Sequence, residues 1–205
     1  MRVVPLHRDN DSDYSCVCYW VLGDRNAVAD RNTLIDAGSA DLGNLAYFMR
    51  EMSAMSKGIG KMAVEQVILT HEHFDHSGGL AGIDRQFAPK TFSLLPYGRR
   101  HESVVDGMSL TVGDEEAFLL LTPGHSPDSI CVYAPASRIL FSGDTIFRIT
   151  DDKGSYPRAY LASLERLAGL DIRTIYPGHG PPMTSDIMPF ILACIDHVGR
   201  SIVRD

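Results

Sequence analysis

The run His71-Glu72-His73-Phe74-Asp75-His76 follows directly on the strand-like stretch Val67-Ile68-Leu69-Thr70. Three imidazoles and an aspartate fall within six residues. A hydrophobic core has no use for such a cluster, because every buried polar side chain needs a partner. Divalent metal binding does use it, since neutral imidazole and carboxylate are the usual ligands of zinc and also suit iron and manganese. The fold must therefore place a strand end where several donors can converge. As the chain leaves the strand, a curled loop would direct His71 and His73 to one point, and Asp75 and His76 to a neighbouring one. The spacing differs from the helical H-E-x-x-H pattern, in which two His four apart share a face. Gly78-Gly79 follow at once and permit a tight turn.

The same pattern recurs downstream. Strand-like runs end at Thr122-Pro123-Gly124-His125, at Ser142-Gly143-Asp144 and at Pro177-Gly178-His179-Gly180. Each presents a metal-competent residue immediately after a glycine. Five of the eight histidines lie at these turns: His71, His73, His76, His125 and His179. His7, His101 and His197 lack that context. Functional side chains commonly sit on loops held at the ends of a rigid sheet.

Between these turns, periodicity predicts the elements. Strands are expected at 16–22, 33–36, 66–70, 117–121, 130–133, 139–141 and 174–176. Ser103-Val104-Val105 and Ser109-Leu110-Thr111-Val112 flank Asp106-Gly107, which suits a hairpin or a tight loop. Leu42, Leu45, Met49 and Met52 recur at helical spacing up to a Gly58-Ile59-Gly60 stop, and residues 79–87 suit a short helix. Pro157 suits the first position of a helix striped by Leu161, Leu164 and Leu167. Ser185 would cap a terminal helix carrying Ile187, Phe190, Ile191, Cys194, Ile195, Val198 and Ile202 on one face. Strands with interspersed helices and no repeat or linker predict an α/β (α+β) layered αββα sandwich, with residues 1–205 as one domain.

Bulk properties narrow the partners. With 44% hydrophobic and 22% charged residues, the chain reads as a globular protein. The net charge of −7 and the lack of a Lys/Arg-rich run argue against a nucleic-acid partner. No run approaches the ~20 apolar residues of a membrane span, and residues 1–8 lack a signal-peptide core, so a cytoplasmic location is expected. Cys16, Cys18, Cys131 and Cys194 read as reduced core residues. A small-molecule substrate is the remaining expectation.

HEHFDH, TPGH, SGDT and YPGHG, in this order, resemble the metallo-β-lactamase superfamily, and Leu34-Ile35-Asp36-Ala37-Gly38 is similar to that family's early strand and turn. The resemblance implies that His71, His73 and His125 bind a first metal, that Asp75, His76 and His179 bind a second, and that Asp144 bridges them. It implies two divalent ions, zinc first with iron or manganese as alternatives, and hydrolysis by a bridging hydroxide, with Asp75 as a further proton relay. Thr70 and Ser142, next to the ligands, would support them. THEHFDH, TPGHS and GDTIF look most like short glyoxalase II-like thioester hydrolases. HFDHSGG also resembles lactonases, and other ester or phosphodiester hydrolases, a mononuclear iron persulfide dioxygenase and a non-catalytic metal-binding protein are the further alternatives. Asp144 stands where zinc β-lactamases lack an Asp, and His73 where flavodiiron proteins carry Glu. Asp128 stands where glyoxalase II-like members often have Gly, and the long basic C-terminal region of classical glyoxalase II is missing. Tyr97, Arg99, Arg148, Lys153, Tyr156 and Arg158 are candidate substrate contacts by position alone.

Overall fold

Alternation along the strands sets the layers. In β2 (Cys18–Leu22) every residue is buried. Cys18, Trp20 and Leu22 pack into one core cluster, while Tyr19 and Val21 pack into another. A strand buried on both faces must lie between two layers. The computed structural model describes residues 1–7, 14–25, 27–55, 61–149 and 152–204. The expected Gly58-Ile59-Gly60 helix stop lies outside the described residues.

The first sheet has the order β1 (Arg2–Leu6), β2, β3 (Thr33–Ile35), β4 (Gln66–Ile68), β5 (Lys90–Ser93), β6 (His101–Ser103). From β3 to β6 its strands run parallel. Helices α1 (Leu42–Met55) and α3 (Leu80–Phe87) carry Phe48, Met52, Leu80 and Ile83 onto its outer face. The second sheet uses β7 (Met108–Val112), β8 (Glu115–Leu121), β9 (Ile130–Ala134), β10 (Ile139–Gly143) and β12 (Thr174–Pro177), in the order β12-β10-β9-β8-β7. Its inner residues, among them Ala117, Leu119, Ile130, Val132 and Phe141, meet Tyr19, Val21, Ile35 and Ile68 between the sheets. Its outer residues, Cys131, Tyr133 and Leu140, meet Leu164 and Leu167 of α4 (Arg158–Ala168) and Ile191, Cys194 and Val198 of α5 (Ile187–Arg200). Three cores between four layers make the expected αββα sandwich of the α/β class.

Topology decides where the turns go. In the second sheet β8 and β10 both run antiparallel to β9, and β12 runs parallel to β10. Strands β8, β10 and β12 therefore end at one edge, which brings His125, Asp144 and His179 together. The β4 end reaches the same edge through a hydrogen bond from the Ile130 backbone N–H to the Thr70 carbonyl, 2.8 Å.

Several local expectations are corrected. Of the two alternatives at Asp106-Gly107 the structure has the tight loop and not the hairpin: β6 pairs with β5 in the first sheet and β7 with β8 in the second, so this turn carries the chain between sheets. The expected curled loop contains a one-turn helix, α2 (Phe74–Ser77). Pro157 precedes α4 rather than opening it, because it pairs with Arg204 in the two-stranded sheet of β11 (Ser155–Pro157) and β13 (Ile202–Arg204). Ser185 does not cap α5. Asp186 occupies that position with φ 54° and no side-chain cap, because the bridge between Ile175 and Met183 fixes how the chain enters. Ile202 lies beyond α5 and is exposed. Strands β1, β5, β6, β11 and β13 are too short or too interrupted to show a period.

Trp20 is fully buried, and its Nε1–H donates to the Ala63 carbonyl at 2.8 Å. Truncating it removes the largest side chain of the outer core and orphans that carbonyl. Trp20→Ala is expected to lower unfolding free energy by about 3–5 kcal/mol in urea titrations followed by circular dichroism. A loss below about 1 kcal/mol would mean that this core does not hold α1 on the sheet.

Candidate metal centre

The seven residues expected as ligands converge. His71 Nε2 and His125 Nε2 each lie 3.0 Å from His73 Nδ1. His179 Nε2 lies 3.1 Å from Asp75 Oδ2, and His76 Nε2 lies 3.6 Å from the same oxygen. Asp144 stands between the two groups. Its Oδ2 is 3.6 Å from His125 Nε2 and 3.5 Å from His179 Nε2, and its Oδ1 is 3.4 Å from His76 Nε2. Two of the sets able to hold an ion are His71, His73, His125 and Asp75, His76, His179; a third joins His71, His76 and Asp144 across them.

The orientation of these rings has a local cause in a residue to which the sequence assigns no role: Asp36. This residue follows β3 with φ 60°, a left-handed conformation that Asp tolerates better than most side chains. Its Oδ1 accepts the Thr70 backbone N–H at 2.7 Å, and its Oδ2 accepts the Thr70 hydroxyl at 2.9 Å. The same Oδ2 lies 2.8 Å from His76 Nδ1. That contact places the proton on Nδ1 and turns Nε2 toward Asp75 and Asp144. Thr70 Oγ1 then sits 3.1 Å from His71 Nδ1 and turns His71 Nε2 toward His73. Thr70 thus lies behind two of the converging rings. Ser142 does not: its hydroxyl donates to the neighbouring Gly143 carbonyl, away from every ligand.

Glycine permits the close approach. A Cβ on Gly178 would lie 2.3 Å from Asp144 Oδ1 and 2.6 Å from His76 Cε1. Gly143 has φ 47°, and a Cβ there would meet Thr70 Oγ1 at 2.5 Å. The glycines before Asp144 and His179 therefore leave room for neighbouring ligands as well as for a turn.

The electrostatics favour a cation. His76 Nε2 is buried and has no hydrogen-bond partner among the described residues. Burial opposes charge on His76, yet Asp36 and Asp144 beside it outweigh burial and raise its pKa. Burial pushes His71 down to about 3, and lowers His125 too. For Asp144 burial also disfavours charge, but contact with His76, followed by His179, holds it at about 2. His71 and His125 are thus held neutral close to the ionised Asp144 carboxylate, and the His76 nitrogen beside that carboxylate lacks a partner among the described residues. This donor set fits a divalent ion of the borderline-soft class. A further group, Cys16, Asp36 and His76, shares His76 with this set. Burial raises the Cys16 and Cys18 thiols, which keeps them protonated, as expected of core cysteines.

The rim includes residues that carry no sequence signal. Tyr14 stacks on His179 at 5.1 Å and approaches Phe74 at 6.2 Å between ring centroids. Tyr14 and Phe74 are largely exposed, at 64% and 66%. The segment that follows Tyr14 is sutured over the site by Cys16 N–H to the Asp75 carbonyl and Val17 N–H to the Gly178 carbonyl. Of the six candidate substrate contacts, Arg148 lines the cavities beside the centre. Tyr97 donates to Glu72 Oε2 at 3.2 Å, Arg99 pairs with Asp84, and Tyr156 packs on Tyr160 in the outer core.

Comparison with known proteins places the chain in a family. A hydroxyacylglutathione hydrolase of Maricaulis maris is 34% identical over 126 residues, covering 57% of this chain and 48% of that protein. A beta-lactamase-like protein 2 homolog of Caenorhabditis elegans is 28% identical over 159 residues, covering 74% of this chain and 52% of that protein. The chain spans about half the length of these relatives. The crystal structure of a metallo-beta-lactamase family protein from Thermus thermophilus superposes with a TM-score of 0.74 at 20% identity, over 96% of this chain and 78% of that one. The family model of the metallo-beta-lactamase superfamily matches residues 12–179, a span that holds all seven converging side chains. The chain belongs to the metallo-beta-lactamase superfamily, whose members are mostly hydrolases.

Proposed function

We propose that this chain is a binuclear metallohydrolase acting on small thioesters. The observation that carries the reading is Asp144, whose two carboxylate oxygens face His76 on one side and His125 and His179 on the other. His71, His73 and His125 would hold one ion and Asp75, His76 and His179 the other, with Asp144 shared. Two such ions, when bound, lower the pKa of a water and polarise a carbonyl, which is the chemistry that hydrolysis needs. Zinc suits the donor set, and iron or manganese would also fit.

The chain's own residues prepare that chemistry. Asp36 accepts the His76 Nδ1 proton and presents Nε2 in its ligating form. Thr70 orients His71, and the Asp36–Thr70 contacts hold both ligands from behind. Asp75 Oδ2 lies beside His179 and His76, where its carboxylate would take and pass on a proton. Asp75 is the proposed proton relay. Exposed Tyr14 and Phe74 give the rim an apolar surface.

The relative named as a hydroxyacylglutathione hydrolase supports the thioester reading, since its substrate joins an acyl group to sulfur. It shares 34% of aligned residues and extends well beyond this chain. A lactone is the second substrate class, because the same water and carbonyl geometry serves a cyclic ester.

Assay of purified, metal-loaded protein on thioesters, lactones, phosphodiesters and β-lactams is expected to give the highest kcat/KM on thioesters. Highest activity on lactones would replace the substrate class, and silence on all four would leave a binding role. Asp144→Ala is expected to lower kcat/KM by at least about 100-fold and to release metal on dialysis; wild-type turnover in that variant would contradict a shared carboxylate. In Asp36→Asn the amide must point a donor at either His76 or Thr70, where the carboxylate only accepts. Metal affinity by competitive chelation is expected to fall about 10- to 100-fold with the circular dichroism unchanged. Unaltered affinity would show that Asp36 does not position His76.

A further inference from the structure

His71 and His76 are held from behind, through Nδ1, by Thr70 and Asp36. His125 and Asp144 are not. Among the described residues, their side chains bond only to other members of the converging set. Their places must come from the turns that carry them.

Those two turns are tied together by a residue outside the ligand set: Thr145, the last of Ser142-Gly143-Asp144-Thr145. It is 1% exposed, and each of its three polar groups reaches a different element. Its N–H donates to the Ser142 carbonyl at 3.0 Å and closes the turn around Asp144. Its hydroxyl lies 3.0 Å from the hydroxyl of buried Thr122, which opens the Thr122-Pro123-Gly124-His125 turn. Its carbonyl accepts the Tyr160 hydroxyl of α4 at 2.9 Å.

The same helix grips the His125 turn. Ser163 Oγ lies 2.9 Å from the Pro123 carbonyl and 2.8 Å from the Ala159 carbonyl, and shares its proton between them. The Tyr160 ring packs against Gly124, where a Cβ would lie 2.1 Å from its Cδ2. Beyond Thr122 the Cys131 thiol continues the buried column, 3.4 Å from the Thr122 hydroxyl and 3.6 Å from the Ser142 carbonyl. A core that needed only filling would take Val at 122 and 145, with no buried hydroxyl to satisfy. The hydroxyl pair adds direction, because it joins the ends of β8 and β10 at one separation.

We propose that Thr145 is a positioning residue: through Thr122 and Tyr160 it sets the separation between His125, on the first ion's side, and Asp144, the shared carboxylate. The two halves of the centre are then braced from opposite sides of the sandwich. Asp36 and Thr70 hold His71 and His76 from the first sheet, and Thr145 ties His125 and Asp144 to α4 behind the second. The assignment rests on the two-ion reading above and adds to it a residue that is not itself a ligand.

Thr145→Val and Thr145→Ser separate the hydroxyl from packing. Valine keeps the volume and loses the hydroxyl, while serine loses a methyl and keeps it. Zinc affinity by competitive chelation is expected to fall about tenfold in T145V and to stay within about twofold of wild type in T145S. Tyr160→Phe removes only the bond to the Thr145 carbonyl and is expected to lose about as much as T145V. In cobalt-loaded protein the visible ligand-field absorption is expected to shift in T145V and to match wild type in T145S. Undiminished affinity in T145V or Y160F would overturn the proposal. So would a larger loss in T145S than in T145V, which is the order that packing alone gives. A second measurement needs no metal. In the metal-free protein, hydrogen-exchange protection of residues 143–146 is expected to drop about tenfold in T145V and to hold in T145S; equal protection in all three proteins would overturn the proposal. One zinc or none in the wild type would sink the two-ion reading alone, since the metal-free exchange still decides the role of Thr145.

Discussion

The contact between the Asp36 carboxylate and the end of β4 governs the rest of this structure. One side chain accepts from the Thr70 backbone, from the Thr70 hydroxyl and from His76 Nδ1, all within 2.9 Å. Buried polar groups are costly when unpaired, and these three partners satisfy one another completely on this side. The network also joins elements distant in sequence. Asp36 follows β3, Thr70 follows β4, and the Thr70 carbonyl accepts from Ile130 of the second sheet. The centre is thereby built where the two sheets are tied together, and its ligands inherit the rigidity of both.

The candidate ligand set was legible in sequence. His71, His73, Asp75, His76, His125, Asp144 and His179 each follow an apolar run and stand at a turn, and the fold gathers all seven into one centre. The layering was legible for the same reason: strands such as 18–22 are apolar on both faces, and only a sandwich buries both. Strand direction then does what spacing cannot, since β8, β10 and β12 end at one edge only because of how they pair with β9 and with each other.

Asp36 and Tyr14 were not legible. Asp36 sits in Leu34-Ile35-Asp36-Ala37-Gly38, where an Asp shortly before a glycine reads as an ordinary turn residue, and its partners lie 34 and 40 residues away. Tyr14 reaches the site only because the segment behind it is bonded over Asp75 and Gly178. At Asp106-Gly107 the sequence left a hairpin and a tight loop both open, and the structure has the tight loop. A turn dipeptide fixes a local reversal, while the choice between hairpin and sheet-to-sheet crossing depends on which strands offer free edges. Arg148 could be named from sequence only as one of six basic or aromatic residues near the motifs, and one of the cavities it lines is walled by Pro181 and Pro182 from another part of the chain.

The centre as a whole is a problem of charge balance. His76, between Asp36 and Asp144, favours a positive charge at its Nε2. A proton meets that need partially, and a divalent ion meets it while using the lone pairs of the neighbouring rings. The most direct test is the metal content of the chain purified without chelator, measured by inductively coupled plasma mass spectrometry against protein concentration by amino-acid analysis. The account predicts two equivalents of divalent metal per chain. One equivalent, whatever the element, would contradict the shared-carboxylate centre.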